Sequence, residues 1–387
     1  MSEQSSYFST TPTPTSWGLY VHIPFCRRKC PYCDFYSIAD HSLIPALIDA
    51  LCLEATLYRD LPSKVDTIYI GGGTPSLLTS DQYKMLSDTL YHVFNVEPNA
   101  EITIEANPEG LDPLYLRELH SLGANRLSLG VQSMDNSVLD FLGRSHRVDH
   151  VINAVGCARD EGFDNLSLDL MYGIPGQNLS AWRKVLLRVL DLQPDHMSLY
   201  QLTLEPHTPL GKKQQKGLIH SYGEEEQREF FLETVRIMQE AGFLHYEISN
   251  FARNKACISK HNNKYWQHRP YLGLGPSAHS FDGAQRWWNH ASVKRYILEV
   301  QGAHKPQAGS EKLDKDALQL EALYFGFRTI MGLDMRTFRD RYGLDLTSHP
   351  VGLIERFEKL GWITVHKGKL IPTVEGMVRA DALPLLW

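Results

Sequence analysis

The stretch that decides the fold is "VHIPFCRRKCPYCDFYS", residues 21–37, which places three of the six cysteines of the chain within eight positions. Cys26, Cys30 and Cys33 follow a short apolar run, "LYVHI", that is typical of a buried strand. A structural zinc site normally closes with four ligands, so three clustered thiols indicate a site with one open coordination position. The stretch therefore predicts a metal or cofactor loop at the end of a strand.

Composition narrows the class of protein. The 387 residues carry a formal net charge of −6, so we expect no basic surface for nucleic acid. The sequence has no apolar run of about 18 residues, which argues against a membrane-spanning helix. Residues 1–18, rich in Ser, Thr and Pro, are predicted to be a disordered leader. Six cysteines in so long a chain favour a reducing compartment, so a cytoplasmic protein is expected.

Residues 19–205 alternate short apolar runs with amphipathic helical patterns. The strand-like runs are "LYVHI", "TIYIGG", "EITIEAN", "RLSLGVQS", "NLSLDLMYG" and "HMSLYQL". Six such units predict an α/β fold with a parallel sheet, either doubly wound or curved into a partial barrel. Glycines and polar residues follow the strands at their carboxyl ends, which is the edge where such folds build their sites.

The pattern changes after residue 205. Residues 206–305 begin with a connector rich in Pro, Gly and Lys and continue into a stretch rich in His and aromatic residues, for which we expect an α+β region. Residues 306–387 read as three helices followed by a hairpin, the order of a winged-helix-like module. Because this module has no basic excess, a packing or partner-binding role is favoured over DNA binding.

The cysteine spacing CxxxCxxC suits three corners of an iron-sulfur cluster. The alternatives are a zinc site completed by His22 or Asp34 and a loop of unrelated thiols. "CRRKCPYC" resembles the signature of the radical S-adenosylmethionine (SAM) superfamily. That resemblance implies a partial (β/α)6 barrel, a 4Fe-4S cluster and SAM bound to the open iron, with the cluster ligands Cys26, Cys30 and Cys33.

The wider order of "YVHIPFCRRKCPYCDFYS", "GGGTPS" and "GVQS" resembles two related groups, the oxygen-independent coproporphyrinogen III dehydrogenases and the HemW haem chaperones. By residue chemistry alone, the run Gly71 to Thr74 is either a tight turn or a ligand-binding turn. Glu105 needs a partner, which could be a ribose hydroxyl, Arg126 or Arg144. The resemblance implies SAM contacts at Tyr20, Gly72, Gly73, Thr74, Glu105, Gln132, Arg144 and Asp169.

A second motif, "HNNKYW" at residues 261–266, joins an imidazole to aromatic rings. Such a set suits axial ligation of haem iron and stacking on a flat macrocycle. The alternative is a buried cluster that braces the barrel against the C-terminal module. The match to the HNxxYW motif of the chaperones implies haem binding through His261, Asn262, Tyr265 and Trp266.

The remaining histidines and thiols are weaker candidates. His268 and His279 are second choices as haem ligands, and structural roles are expected for both. Cys257 lies four positions before His261 and could contact a ligand. Cys52 and Cys157 fall inside helical patterns and are expected to behave as small buried hydrophobic residues.

One position separates the two related groups. The dehydrogenases carry a further cysteine two positions after the third ligand, and this chain has Phe35 there. The resemblance therefore implies a haem chaperone, monomeric or homodimeric, that passes haem to an apo-haemoprotein acceptor, including a membrane-associated one. The alternative is a radical SAM oxidoreductase that decarboxylates coproporphyrinogen III. Whether the protein is an enzyme stays open, with the chaperone interpretation arguing against it.

Overall fold

The computed structural model describes residues 16–61, 64–348 and 351–387. The strands are β1 (Trp17–Ile23), β2 (Val65–Gly72), β3 (Val96–Ala106), β4 (Arg126–Gln132), β5 (Leu166–Tyr172), β6 (His196–Gln201), β7 (Leu244–Glu247), β8 (Asn250–Ala252), β9 (Tyr271–Leu274), β10 (His279–Phe281), β11 (Gln285–Asn289), β12 (Gln307–Lys312), β13 (Leu333–Asp334), β14 (Ile363–His366) and β15 (Lys369–Pro372). Twelve of them form one sheet, in the order β12-β11-β10-β9-β1-β2-β3-β4-β5-β6-β8-β7.

The α-helices cross between these strands and complete the C-terminal part. They are α1 (Ile44–Leu57), α2 (Ser80–Val93), α3 (Pro113–Ser121), α4 (Asn136–Phe141), α5 (Val148–Asp160), α6 (Leu179–Leu190), α7 (Pro209–Gln215), α8 (Glu224–Glu240), α9 (Lys260–Trp266), α10 (Val293–Gln301), α11 (Lys315–Gly326), α12 (Met335–Tyr342), α13 (Leu353–Lys359) and α14 (Val374–Met377).

Strands β1 to β6 are parallel, and each lies beside the next in chain order. This order confirms the predicted partial (β/α)6 barrel. Successive side chains of β4 alternate between the hydrophobic core and the interior of the barrel. Leu127, Leu129 and Val131 are fully buried in the hydrophobic core under the helices. Arg126 and Ser128 occupy the alternate positions and face the interior of the barrel, because successive side chains of a strand point to opposite faces. The inner wall is therefore polar.

The predicted segment boundaries differ from the structure in three places. Strand β1 begins at Trp17, inside the predicted leader, while residues 1–15 of that leader lie outside the described residues. The region 206–305 is not separate from the barrel, because β7 to β11 extend the same sheet at both edges. Strand β12 pairs with β11 in that sheet, so the C-terminal module begins after Lys312 and not at residue 306.

The C-terminal module has the predicted order of three helices and a hairpin. Helices α11, α12 and α13 precede the antiparallel pair β14 and β15, and β13 completes a three-stranded sheet. The module has its own hydrophobic core, which includes Phe327, Phe338 and Phe357. The winged-helix-like prediction is thus confirmed.

A fully buried carboxylate joins α1 to the added strands. Glu54 accepts hydrogen bonds from the backbone N–H of Gly275 (2.8 Å), the side-chain amide of Asn289 (2.6 Å) and the hydroxyl of Tyr296 (2.5 Å). Burial raises the pKa of Glu54 to about 7, and the three donors oppose that rise. Because its partners are all donors, the site requires an acceptor.

Glu54→Gln is expected to lower the free energy of unfolding by about 1–3 kcal/mol, since an amide N–H would face a donor. Urea denaturation followed by circular dichroism measures the change. Asp49→Asn, on the exposed face of the same helix, is the matched control and should leave the midpoint unchanged. Equal midpoints for the two variants would contradict the role given to Glu54.

Candidate functional site

The thiol loop leaves β1 and closes on itself before α1. The backbone N–H of Cys26 donates to the carbonyl of Ile38 (3.0 Å), and that of Ile38 donates to Pro24 (2.8 Å). Cys26, Cys30 and Cys33 are free thiols, each partly exposed. The loop therefore presents its three sulfurs at the carboxyl end of β1, as the sequence predicts.

The glycine run after β2 packs against the root of this loop. The N–H of Gly73 donates to the carbonyl of Ile23 (2.9 Å), and a Cβ on Gly73 would lie 2.5 Å from the carbonyl oxygen of Phe25. Gly72 has a φ of 111°, and a Cβ there would meet the ring of His22 at 2.5 Å. These glycines are thus required by the approach of the two loops, whether or not the turn also binds a ligand.

Two polar side chains point at the sulfurs. The hydroxyl of Thr74 donates to Cys26 Sγ (3.7 Å), and the guanidinium of Arg144 donates to Cys30 Sγ (3.6 Å). Burial raises the pKa of the Cys33 thiol. Hydrogen bonds to a cysteine sulfur stabilise the negative charge of a thiolate. The donors at Cys26 and Cys30 therefore fit a metal group that is bound through thiolates.

The zinc alternative finds no support in this geometry. His22 has both ring nitrogens occupied, by the hydroxyl of Tyr20 (2.9 Å) and the carbonyl of Tyr36 (3.2 Å). Asp34 is hydrogen-bonded to His207. Among the described residues, no three His, Cys, Asp or Glu side chains converge on one metal ion. An iron-sulfur cluster does not need such convergence, because each thiolate binds a different iron.

The predicted SAM residues line the same end of the barrel. Glu105 accepts hydrogen bonds from the hydroxyl of Tyr69 (2.7 Å) and the N–H of Gly72 (3.0 Å). Arg126 acts on Glu105 through its charge, which opposes the effect of burial on the pKa of that carboxyl. Burial raises the pKa of Glu105 to about 7, so an additional donor would stabilise its charged form.

Deeper inside, Asp169 accepts from the hydroxyls of Ser128 (3.1 Å) and Ser167 (3.3 Å), and burial raises the pKa of its carboxyl. Gln132 ends β4 with a φ of 64°, a left-handed conformation that costs energy in a residue other than glycine. Tyr20, on β1, donates or accepts at His22. The structure therefore brings the eight predicted SAM residues to the thiol end and interior of one barrel.

The haem motif lies at the opposite end. His261, on α9, is buried, and its Nδ1 is 2.9 Å from the hydroxyl of Thr67. Thr67 is five residues before Gly72 on β2, a separation of about 16 Å along the strand. The N-terminus of α9 is held by Glu101, whose carboxylate accepts from the N–H groups of Lys260 (3.0 Å) and His261 (2.9 Å).

Of the four motif residues, His261 is buried, and Asn262, Tyr265 and Trp266 are partly exposed. His261 Nε2 is 2.8 Å from the hydroxyl of Tyr265, so both ring nitrogens have partners. Burial, with smaller effects of Lys264 and Arg126, lowers the pKa of His261 to about 3. These contacts are compatible with the bracing alternative, and they do not test haem binding.

The other motif residues also contact neighbouring parts of the protein. Trp266 packs edge-on against Phe325 of the C-terminal module, with ring centroids 6.0 Å apart. The backbone N–H of Asn262 donates to the hydroxyl of Ser259, which begins the helix (3.3 Å). Helix α9 thus links the barrel to the C-terminal module, and the haem-binding role of its residues stays a prediction.

The secondary candidates have structural partners. The ring of His268 stacks on Phe281 with centroids 4.6 Å apart and is hydrogen-bonded to Tyr342 (3.0 Å). His279 stacks on Trp288. Cys257 is buried and donates to the side chain of Asn254 (3.5 Å). His268 is linked to the motif through its backbone N–H, which donates to the carbonyl of Tyr265 (3.0 Å).

Sequence reasoning missed Tyr69, Glu101 and Asn107 as partners of site residues. Tyr69 lies two residues before Gly71 on the inner face of β2, so the alternation of the strand could have indicated it. Asn107 ends the run after β3 and joins Arg144 to Thr74. Glu101 gave no local signal, because its partner helix is about 160 positions away in the chain.

A partial α/β barrel with three thiols on the loop after its first strand is the arrangement of the radical SAM class. Residues 20–189 match the model of the Radical SAM superfamily, and residues 313–379 match the HemN C-terminal domain. The fold is similar to that of the coproporphyrinogen III oxidase HemN of Escherichia coli, a radical SAM enzyme, with a TM-score of 0.83 and 24% identity over 96% of this chain and 90% of that one.

Two curated relatives are similar over nearly their whole length. The chain is 35% identical to the heme chaperone HemW of Bacillus subtilis, covering 91% of this chain and 96% of that protein. It is 33% identical to the heme chaperone HemW of Mycobacterium tuberculosis, covering 95% and 93%. The chain therefore belongs to the HemW family of the radical SAM superfamily. Within the described residues, no helix is long and apolar enough to cross a membrane.

Gly73→Ala is expected to displace the thiol loop, because the added Cβ would meet backbone oxygens that cannot rotate away. We expect a lower melting temperature and faster alkylation of the three loop thiols by iodoacetamide, located by mass spectrometry. Gly156→Ala, inside α5 with no atom within 4 Å of the added Cβ, is the control and should stabilise the helix by about 0.5–1 kcal/mol. Wild-type alkylation rates in Gly73→Ala would show that the loop tolerates the change.

Proposed function

We propose that the protein binds haem and transfers it to an acceptor protein, while carrying a 4Fe-4S cluster with SAM on its open iron. The observation that carries this proposal is the similarity to the HemW chaperones over more than nine-tenths of the chain, including the complete HNxxYW motif. Phe35, which is 69% exposed where the dehydrogenases have a cysteine, supports the chaperone over the oxidoreductase.

In this proposal the cluster is held by Cys26, Cys30 and Cys33. When bound, it would supply one-electron chemistry and an open iron position for the amino and carboxylate groups of SAM. Thr74 and Arg144 donate toward two of the sulfurs and would stabilise their negative charge. The fit is supported by the donor set at the thiols.

The SAM contacts are proposed from the hydrogen-bond acceptors and donors at the thiol end of the barrel. The carboxylate of Glu105 accepts from Tyr69 and Gly72, and a ribose hydroxyl would be a further donor to this buried charge. Asp169 and Gln132 line the adjacent strands. In this proposal these side chains would bind and orient SAM.

The haem site proposed at His261 requires a rearrangement. His261 Nε2 can bind iron only after the hydroxyl of Tyr265 leaves it, because both occupy the same lone pair. The ring is neutral, as an iron ligand must be, since burial keeps the pKa of His261 at about 3. Helix α9 has seven residues, and its displacement would break the bonds of Glu101 to the N–H groups of Lys260 and His261 and the buried ion pair of Lys264. Opening of α9 would then expose the aromatic rings of Tyr265 and Trp266 to the macrocycle.

Two substitutions test the haem site in opposite directions. His261→Ala should weaken haem binding at least tenfold, because the axial ligand is lost. Tyr265→Phe should strengthen it by about fivefold, the equivalent of about 1 kcal/mol for a hydrogen bond that no longer has to be broken. Absorbance titration of haem gives both values.

His279→Ala, which removes a histidine that stacks on Trp288 away from the motif, is the matched control. Its affinity and Soret spectrum should equal those of the wild type. If His261→Ala has the same affinity and spectrum as this control, His261 is not the haem ligand.

Replacing Cys26, Cys30 and Cys33 together by Ser should abolish cluster assembly on anaerobic reconstitution with iron and sulfide. Iron and sulfide analysis and the visible absorbance of the reconstituted protein report the result. The double variant Cys52→Ser, Cys157→Ser removes thiols outside the loop and should retain the cluster. A full complement of iron and sulfide in the triple variant would refute the ligand assignment.

The oxidoreductase alternative is tested with the same reconstituted protein. Reduced protein incubated with SAM and coproporphyrinogen III should yield no multiple-turnover decarboxylation product by chromatography. Product that accumulates over many turnovers would contradict the chaperone proposal.

A further inference from the structure

A continuous chain of hydrogen bonds runs across the thiol site and ends on two sulfurs. The outer links are Thr74 to Cys26 Sγ (3.7 Å) and Arg144 to Cys30 Sγ (3.6 Å). Asn107 is the link between them. Its side-chain Nδ2 donates to Thr74 Oγ1 (3.3 Å), and its Oδ1 accepts from Arg144 Nη2 (2.6 Å). One amide therefore connects the two donors that reach the sulfurs.

The directions of these bonds are set by Asn107. Because the Thr74 oxygen accepts from the Asn107 amide, its own proton remains available for Cys26 Sγ. Arg144 Nη2 is shared between Asn107 Oδ1 and the carbonyl of Gly130 (2.9 Å), which leaves Nη1 directed at Cys30. The guanidinium thus has two anchors, and Thr74 depends on Asn107 for its orientation.

Asn107 itself lies one residue after β3 and contacts neither sulfur through a hydrogen bond. Its side chain joins the carboxyl ends of three elements: the glycine turn after β2, the end of β3, and the segment that follows α4. A side chain in this place acts through the residues that it orients.

Hydrogen bonds and positive charge near the cysteine sulfurs of an iron-sulfur cluster favour the reduced state, because reduction adds negative charge to the cluster. We propose that Asn107 is a positioning residue that directs the Thr74 hydroxyl and the Arg144 guanidinium at Cys26 and Cys30, and so raises the reduction potential of the cluster. The inference rests on the proposed function, since it requires a cluster on these thiols.

The experiment is a redox titration of the full-length, anaerobically reconstituted protein, followed by absorbance and electron paramagnetic resonance. Asn107→Leu keeps the approximate size of the side chain and removes both hydrogen bonds. We expect the ratio of reduced to oxidised cluster at a fixed potential to fall about tenfold, which is about 59 mV for one electron. Asn107→Ala should shift the reduction potential in the same direction. It replaces Asn107→Leu in the experiment if that variant assembles the cluster poorly.

A double-substitution cycle separates positioning from a general effect on the site. Thr74→Val removes the hydroxyl group that donates to Cys26. The shift in reduction potential of the double variant Thr74→Val, Asn107→Leu should therefore be smaller than the sum of the two single shifts. Asn153→Leu, an exposed asparagine on α5, is the control and should titrate as wild type.

The outcomes distinguish this inference from the function on which it rests. A wild-type potential in Asn107→Leu or Asn107→Ala with full iron and sulfide content overturns the role of Asn107 and leaves the cluster assignment intact. Fully additive shifts in the cycle also overturn it, because Asn107 would then act independently of Thr74. Absence of any cluster from the wild type would overturn both proposals.

Discussion

The close approach of two backbone segments is the constraint on which the rest of the site depends. The turn after β2 can pass the root of the thiol loop only because Gly73 has no Cβ, and its N–H then pairs with the carbonyl of Ile23. That contact brings Thr74 within reach of Cys26 and places the N–H of Gly72 on Glu105. The thiols, the glycine turn and the carboxylate at the end of β3 therefore form one unit.

The strands of the barrel run from this unit to the haem motif, and the rings of Tyr20 and Tyr69 lie between them, 6.5 and 5.2 Å from the ring of His261. The thiol loop closes one end, and α9 with His261 closes the other, where Thr67 and Glu101 receive it. The wall between them is polar, and Arg126 lies buried within it. The proposed cluster and haem residues therefore lie toward different ends of the strands, in one connected interior.

The parts that the sequence predicted are those encoded locally. The six strand patterns and the thiol spacing need no knowledge of distant residues, and the strand-end position of Glu105 followed from them. Asp169 was also expected at a strand end, and it lies in the middle of β5. Strand β12, "QAGSEK", was missed because it is an exposed edge strand with no apolar alternation. Its place in the sheet is set by pairing with β11.

Contacts between distant positions could not be predicted in the same way. Thr67 and His261 are 194 positions apart, and nothing local to either indicates that their side chains meet. The zinc alternative stayed open for the same reason, because the occupied nitrogens of His22 depend on where Tyr36 brings its carbonyl. The closed state of the haem motif is a property of the tertiary packing.

The central claim is that haem and SAM bind at opposite ends of one barrel. The most direct measurement is an anaerobic haem titration of the cluster-loaded protein with and without saturating SAM, followed by Soret and cluster absorbance. The account predicts the same haem affinity in both titrations and an unchanged cluster spectrum. A haem affinity that falls in proportion to the SAM concentration would show that the two ligands share one site and would contradict the account.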